Sequence, residues 1–254
     1  MKIVVAYKWA ANPQDALVSD DGVVNWGKKR SISEYDPVAM RVGRILADAT
    51  GAELIGITAG DSSCAAPKAT QAAAARGLDR LVVVADDSLL FATPDVYART
   101  LAAAVRSIGD VDLIITGDAS ADVGGRAVPA LLAAYLGVPA FADVNSIESV
   151  DSHLEVTRHF QGAHQVLKLS SCAVLSVTTD ASSIPLIGMK DMMAARKKPV
   201  DKLDLASLNI EAPAGTTSVI KTAKPEVRAR KHVIFDSGQA ASELVVALRE
   251  EGVL

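Results

Sequence analysis

Short, unbroken apolar runs recur in the first half of this chain, and each is long enough for one β-strand but too short for a typical helix. They cover residues 3–6 (Ile-Val-Val-Ala), 54–58, 81–84 and 113–116. Such a run is expected of a strand that is covered on both faces, as in the parallel sheets of α/β proteins. The runs therefore predict a buried, mainly parallel sheet.

Segments with helical spacing lie between these runs. Asp36-Pro37 and Thr93-Pro94 each place a residue that can cap a helix before a proline, which suits the first helical position. The alanine-rich residues 64–76 predict another helix, and a fourth is expected from Gly124-Gly125 to Leu136. Strands that alternate with helices in this way need crossover connections, so the predicted fold class is α/β.

The pattern changes after Pro139. Residues 145–156 and 165–177 alternate more loosely around the turn-prone pairs Asp151-Ser152 and Gln161-Gly162, which predicts added strands or a hairpin, with 175–178 as a further core strand.

Residues 201–230 show little periodicity and are interpreted as an arm that lies on a partner, before a terminal helix over 240–250. The predicted domains are an α/β nucleotide-binding domain over 1–180, and a docking loop with a C-terminal arm over 181–254.

Composition excludes several classes of function. With 50% hydrophobic and 22% charged residues the chain is not disordered, and its net charge of −4 gives no general attraction to nucleic acid. Two cysteines and no cluster of Cys and His predict a reducing, cytoplasmic environment and no metal site. No apolar run reaches the roughly 18 residues of a membrane span, so no direct membrane insertion is expected.

Three loops are expected to meet at the carboxyl ends of the predicted strands, where open α/β sheets bind ligands. They follow Ala6, Ala59 and Gly117. The third is the most informative, because small residues and Gly124-Gly125 lead into a predicted helix whose backbone amides can hold a phosphate. The dinucleotide and P-loop glycine fingerprints are absent from the sequence. All four histidines lie outside these loops, so the sequence predicts binding and no catalytic residue.

A basic run, Arg196-Lys197-Lys198, follows a methionine-rich segment that begins at Met189. It can be a solvated helix end, where positive charge interacts favourably with the helix dipole. It can equally belong to a docking surface, since flexible methionines beside fixed charge suit a transient protein contact. The residues by themselves leave both interpretations open.

A set of motifs extends in order along nearly the whole chain: MKIVVAYKW at 1–9, NPQD at 12–15, DG at 21–22, ISEYD at 32–36, RGLD at 76–79, DLIITGD at 112–118, and MK through KKPV at 189–200. Together they resemble the β subunit of electron transfer flavoproteins, most closely the Fix-type (FixA-like) branch. The resemblance implies an adenine-nucleotide α-hydrolase-like (Rossmann-like) domain in a heterodimer with an α subunit that holds FAD.

The resemblance also implies ligands and partners. This subunit would bind AMP or a second FAD, and the low aromatic content of 4% favours AMP. Electrons would pass from a flavin dehydrogenase of the acyl-CoA dehydrogenase type to a downstream acceptor, such as a quinone oxidoreductase or ferredoxin. The chain would be an electron carrier subunit, either in simple transfer or in an electron-bifurcating complex, and not itself an enzyme.

Site residues follow from the same resemblance. The implied nucleotide-binding positions are Ala6, Ser33, Glu34, Tyr35, Asp36, Ala59, Gly117, Asp118, Ala119, Ser120, Asp122, Val123, Gly124, Gly125, Arg126, Ala127 and Val128. The docking loop would fall at about residues 185–198, with Leu186 or Met189 as its apolar anchor and Lys190, Lys197 and Lys198 as its charges.

The sequence departs from the family at two places. Arg126-Ala127-Val128-Pro129 stands where many relatives have Gln followed by Thr or Val and Gly, although Arg126 carries a charge suited to phosphate. Residues 170–173 lack the Pro common before the last core strand.

Two alternatives share the general fold. A nucleotide-binding sensor like the universal stress proteins would not need the long C-terminal arm. An N-type ATP pyrophosphatase would need an S-G-G-x-D-[ST] loop where residues 6–9 read Ala-Tyr-Lys-Trp.

Overall fold

The computed structural model describes residues 1–90, 92–151, 153–211, 220–227, 229 and 231–254. Its strands are β1 (Lys2–Ala6), β2 (Trp9–Ala11), β3 (Leu17–Val18), β4 (Val24–Asn25), β5 (Arg30–Ile32), β6 (Glu53–Gly60), β7 (Arg80–Ala85), β8 (Leu113–Gly117), β9 (Ala140–Val150), β10 (His153–Phe160), β11 (Ala163–Leu169), β12 (Val174–Val177) and β13 (Val200–Leu203). Its helices are α1 (Asp36–Thr50), α2 (Pro67–Ala74), α3 (Pro94–Ile108), α4 (Val128–Leu136), α5 (Met189–Ala195) and α6 (Ala240–Glu250).

Within the described residues, one nine-stranded sheet has the order β11-β10-β9-β12-β8-β1-β6-β7-β13. The strands from β9 across to β13 pair in parallel, while β9, β10 and β11 form an antiparallel meander at one edge. The predicted α/β fold with a mainly parallel sheet is confirmed, and so are the added strands after Pro139. Two further pairs, β2 with β5 and β3 with β4, stand outside this sheet.

The sheet is covered on both faces, which explains the unbroken apolar runs. Ile3 and Val5 of β1 face the core beneath α1 and α2, whereas Val4 and Ala6 face the core beneath α3 and α4. Because successive side chains of a strand point to opposite faces, every position of such a strand must be apolar.

Two helices begin later than their sequences predict. Cys64 lies in a short 3-10 turn, Ser62–Ala65, and α2 starts only at Pro67, the residue with the backbone angle suited to a first helical position. The helix predicted from Gly124-Gly125 begins at Val128. Gly124 and Arg126 have φ of +64° and +50°, and a right-handed helix cannot pass through that left-handed conformation.

The chain beyond the predicted boundary at residue 180 returns to the sheet. β13 pairs in parallel with β7 at the sheet edge, and Leu205 is buried in the core beneath α3. Residues 200–205 therefore differ from the predicted arm. A strand of four residues with exposed Asp201 and Lys202 has too weak a pattern to be found from sequence.

The terminal helix is confirmed as α6, and none of its residues is buried. Parts of the predicted arm lie outside the described residues, namely 212–219 with Pro213, and also 228 and 230; Ser152 of the predicted turn does too. No helix in the described part of the chain is both long and apolar enough to cross a bilayer. The described side chains also include no group of three or more His, Cys, Asp or Glu placed to hold a metal ion.

Candidate functional site

A cleft opens at the carboxyl ends of β8, β1 and β6, next to α3 and α4. β1 lies between the other two strands, so Ala6, Ala59 and Gly117 come together, as predicted from the three loops. The predicted nucleotide-binding residues that line this cleft are Ala6, Asp36, Ala59, Gly117, Asp118, Ala119, Ser120, Val123, Gly125, Arg126, Ala127 and Val128.

The remaining predicted positions are not in the wall of the cleft: Ser33, Glu34, Tyr35, Asp122 and Gly124. Ser33 shapes the site, because its Oγ accepts a hydrogen bond of 3.1 Å from the Ala121 amide and holds the loop after β8. The Gly124 amide donates to the Ser120 carbonyl at 2.9 Å, so it is already used within the loop. Glu34 is exposed.

Asp36 connects the first turn of α1 to the strands beneath it. Its Oδ2 accepts a hydrogen bond of 2.7 Å from the Lys8 amide, and a Cβ on Gly117 would come within 2.6 Å of its Oδ1. Burial raises the pKa of Asp36 to about 8, against the lowering effect of the hydrogen bond from the Lys8 amide and of the Lys8 charge. Only a glycine at position 117 lets this carboxyl pack so closely under the cleft.

Lys8 forms an ion pair at the mouth of the cleft. Its Nζ lies 2.8 Å from Asp122 Oδ1 and 5.8 Å from the centroid of the Tyr97 ring. Burial raises the pKa of Asp122, but the hydrogen bond and the positive charge of Lys8 outweigh it and hold this pKa below its usual range. The Asp122 carboxylate therefore stays charged, and its contact with Lys8 ties the loop after β8 to the end of β1.

Arg126 lies where α4 begins and pairs with Asp118. Burial raises the pKa of Asp118, while the Arg126 charge opposes that rise. The Arg126 side chain remains 62% exposed at the edge of the cleft. The N-cap residue of α4, Ala127, makes no side-chain cap hydrogen bond. The exposed part of the Arg126 guanidinium and the N-terminus of α4 both favour an anion at this end of the cleft, and Asp118 offsets part of the arginine charge.

Several lining residues were not among the predicted nucleotide-binding positions, although Tyr7 and Lys8 belong to one of the three predicted loops: Tyr7, Lys8, Ala92, Pro94, Tyr97, Leu101, Thr116 and Pro129. Tyr97 and Leu101 are one turn apart on α3, a spacing that also fits ordinary core packing. Thr116 did carry a signal, since it is the one polar residue of the apolar run 113–116. It is 5% exposed, and its Oγ1 has no hydrogen-bond partner among the described residues.

The predicted docking residues lie on and around α5, away from the cleft. Leu186 is 99% exposed and Met189 79% exposed, and Lys190 and Lys197 are also on the surface. Lys198 differs, because its Nζ lies 3.5 Å from Asp79 Oδ1 in a half-buried contact with the body of the protein.

The fold is that of an α/β protein with a mainly parallel central sheet, consistent with an adenine-nucleotide α-hydrolase-like domain. Residues 22–208 match the family model described as the electron transfer flavoprotein domain. The chain therefore belongs to the electron transfer flavoprotein family, as its motifs indicated. Membership implies a subunit role in electron transfer, flavin or nucleotide binding, and association with other subunits of the family and with dehydrogenases.

Proposed function

We propose that this chain is the β subunit of a heterodimeric electron transfer flavoprotein of the Fix-type branch, located in the cytoplasm. It binds an adenine nucleotide in the cleft, docks a dehydrogenase of the acyl-CoA dehydrogenase type, and helps pass electrons to an acceptor such as a quinone oxidoreductase or ferredoxin. The observation that carries the proposal is that most of the nucleotide-binding positions implied by the sequence line a single cleft.

The residues of the cleft fit a nucleotide. Arg126 and the uncapped N-terminus of α4 suit a phosphate group. The hydroxyl of Thr116, which has no partner within the described part of the chain, can bond to a ligand. The Tyr97 ring and Leu101 supply an apolar wall for a base. The FAD held with the α subunit supplies the electron chemistry, whereas the nucleotide of this chain adds binding free energy to the folded state.

AMP is the proposed ligand in preference to a second FAD. The aromatic rings among the described lining residues are those of Tyr7 and Tyr97. Tyr7 is 5% exposed and belongs to the core beneath α1, and the Tyr97 hydroxyl is fixed by a hydrogen bond to the Leu89 carbonyl. Of these two rings only that of Tyr97, already the proposed wall for the adenine base, is available, so no second ring is left to stack on a flavin.

The proposed docking surface consists of Leu186, Met189 and Met193 with Lys190 and Lys197 beside them. All three apolar side chains are more than half exposed. Exposed apolar anchors supply binding energy, and the lysines steer a partner whose surface is acidic.

One measurement tests the nucleotide assignment directly. The chain is co-purified with its α subunit, denatured, and the released nucleotides are quantified. One FAD and one AMP per heterodimer are expected, and two FAD would indicate a bifurcating member instead. If the only adenine nucleotide released is the one FAD held by the α subunit, the assignment of the cleft as a nucleotide site is overturned. A chain that forms a stable homodimer and binds ATP without a flavoprotein partner would favour the stress-protein-like sensor.

A further inference from the structure

The helix that carries the docking surface is held from its inner side by a side chain of α2. Gln71 Nε2 donates a hydrogen bond of 2.8 Å to the backbone carbonyl of Met192, in the middle of α5. Met192 packs on the core beneath α1 and α2, and Ala195 is 5% exposed. A helix of only seven residues has little stability of its own, so its position depends on such contacts.

A second contact holds the chain just after α5. Lys198 Nζ lies 3.5 Å from Asp79 Oδ1. The other oxygen of Asp79 accepts hydrogen bonds from Arg44 Nη1 at 3.0 Å and from the Leu54 amide at 2.9 Å. Burial raises the pKa of Asp79, but these hydrogen bonds and the charges of Arg44 and Lys198 together hold it below its usual range. Lys198 thus meets a charged carboxylate that α1 and β6 already fix.

The backbone continues this attachment along the sheet edge. The Leu81 amide donates to the Pro199 carbonyl at 3.0 Å, and β13 then pairs with β7. Arg80 binds Asp201 of β13 at 2.9 Å. The segment that follows the docking helix is therefore part of the nine-stranded sheet.

The inner contacts and the exposed apolar side chains occupy different sides of this segment. Leu186, Met189 and Met193 face solvent, whereas the Met192 carbonyl and Lys198 contact the body of the protein. A surface that is already ordered loses less entropy when a partner binds than one that must first fold into place.

We propose that Gln71 and Lys198 are positioning residues of the docking surface. They hold α5 in its binding geometry without touching the partner, and Lys198 acts through Asp79 instead of as a docking charge. The proposal rests on the docking function proposed above for the same surface.

Amide hydrogen exchange, measured on the full heterodimer in the absence of a dehydrogenase, tests whether Gln71 and Lys198 hold α5 in place. Gln71→Ala should speed amide exchange in α5 by about two- to tenfold, the loss expected for one part-buried hydrogen bond. Lys198→Met should speed it by up to about fivefold, because the ion pair is partly exposed. Lys198→Arg should restore protection, and Lys197→Met, which removes a neighbouring surface charge, should leave it unchanged. Unchanged α5 exchange in both Gln71→Ala and Lys198→Met would overturn the proposal.

A kinetic measurement separates this proposal from the docking function on which it rests. Electron transfer is followed against the concentration of a purified acyl-CoA dehydrogenase reduced by its substrate. Gln71→Ala and Lys198→Met should raise KM about two- to tenfold, with kcat and nucleotide content unchanged. Leu186→Asp serves as the docking control. If Leu186→Asp raises KM and the two positioning variants do not, the positioning role is wrong. If Leu186→Asp also leaves KM unchanged, the proposed docking function of this surface is wrong.

Discussion

Gly117→Ala should destabilise the protein because the new methyl group would enter an occupied position. A Cβ at residue 117 would lie 2.6 Å from Asp36 Oδ1 and 3.0 Å from the carbonyl carbon and oxygen of Tyr35. Two of these atoms belong to the backbone at the start of α1, so they cannot move aside as the end of a flexible side chain would. Inserting a methyl group into such a packed site costs about 1–3 kcal/mol.

Gly125→Ala is the matched control within the same cleft. Among the residues that the structure describes, a Cβ at residue 125 would meet only Val123 Cγ1, at 3.8 Å, which is an ordinary contact. Both variants are unfolded thermally as nucleotide-free protein and followed by circular dichroism. A loss of 1 kcal/mol lowers Tm by about 2–4 °C in a domain of this size, so Gly117→Ala should unfold about 2–12 °C lower. Equal Tm values for Gly117→Ala, Gly125→Ala and the parent would refute the packing argument.

Three further predictions concern ligand, pH and charge. Gly125→Val should lower the nucleotide content of the purified heterodimer without lowering the Tm of the nucleotide-free chain. Gly238→Val, at a position where a Cβ meets no described atom within 4 Å, should change neither. Between the ordinary carboxyl pKa of 3.8 and the value of about 8 for Asp36, the folded chain keeps a proton that the unfolded chain has lost. The free energy of unfolding should therefore fall as pH rises through that window, by up to about 1.4 kcal/mol per pH unit from this group, and urea titrations should show a smaller fall in Asp36→Asn. Charge reversal at both Lys190 and Lys197 should slow electron transfer from the dehydrogenase at low salt, and the difference should vanish at high salt. Rates that change with neither the charge reversal nor the salt concentration would argue against electrostatic steering of the dehydrogenase.

Gly124 shows why the structure changes which glycine should be substituted to test the nucleotide site. The sequence treats Gly124 and Gly125 as equivalent members of a phosphate loop. In the structure Gly124 has φ of +64° and its amide is bonded within the loop, while Gly125 lines the cleft. A side chain at Gly124 would strain the backbone whatever the ligand does, so Gly125 is the cleaner test.

Lys198 makes the same point for the docking surface. In the sequence it is one of two adjacent lysines, and nothing distinguishes it from Lys197. The structure places Lys198 against Asp79, a residue 119 positions earlier in the chain, and leaves Lys197 on the surface. Local spacing cannot reveal such a pair, because it depends on how β7 and the segment after α5 meet at the sheet edge.

The sequence by itself determined the parallel sheet, the main helices and the loops that carry the cleft. These features follow from local rules: a strand covered on both faces must be apolar throughout, and a capping residue before a proline starts a helix. Tertiary structure alone decided that Thr116, Tyr97 and Leu101 line the cleft, that Asp36 lies buried against Gly117, and that β13 completes the sheet. Each of these depends on which distant segments pack together, and the free energy of that packing comes from the whole fold and is not encoded in any short pattern.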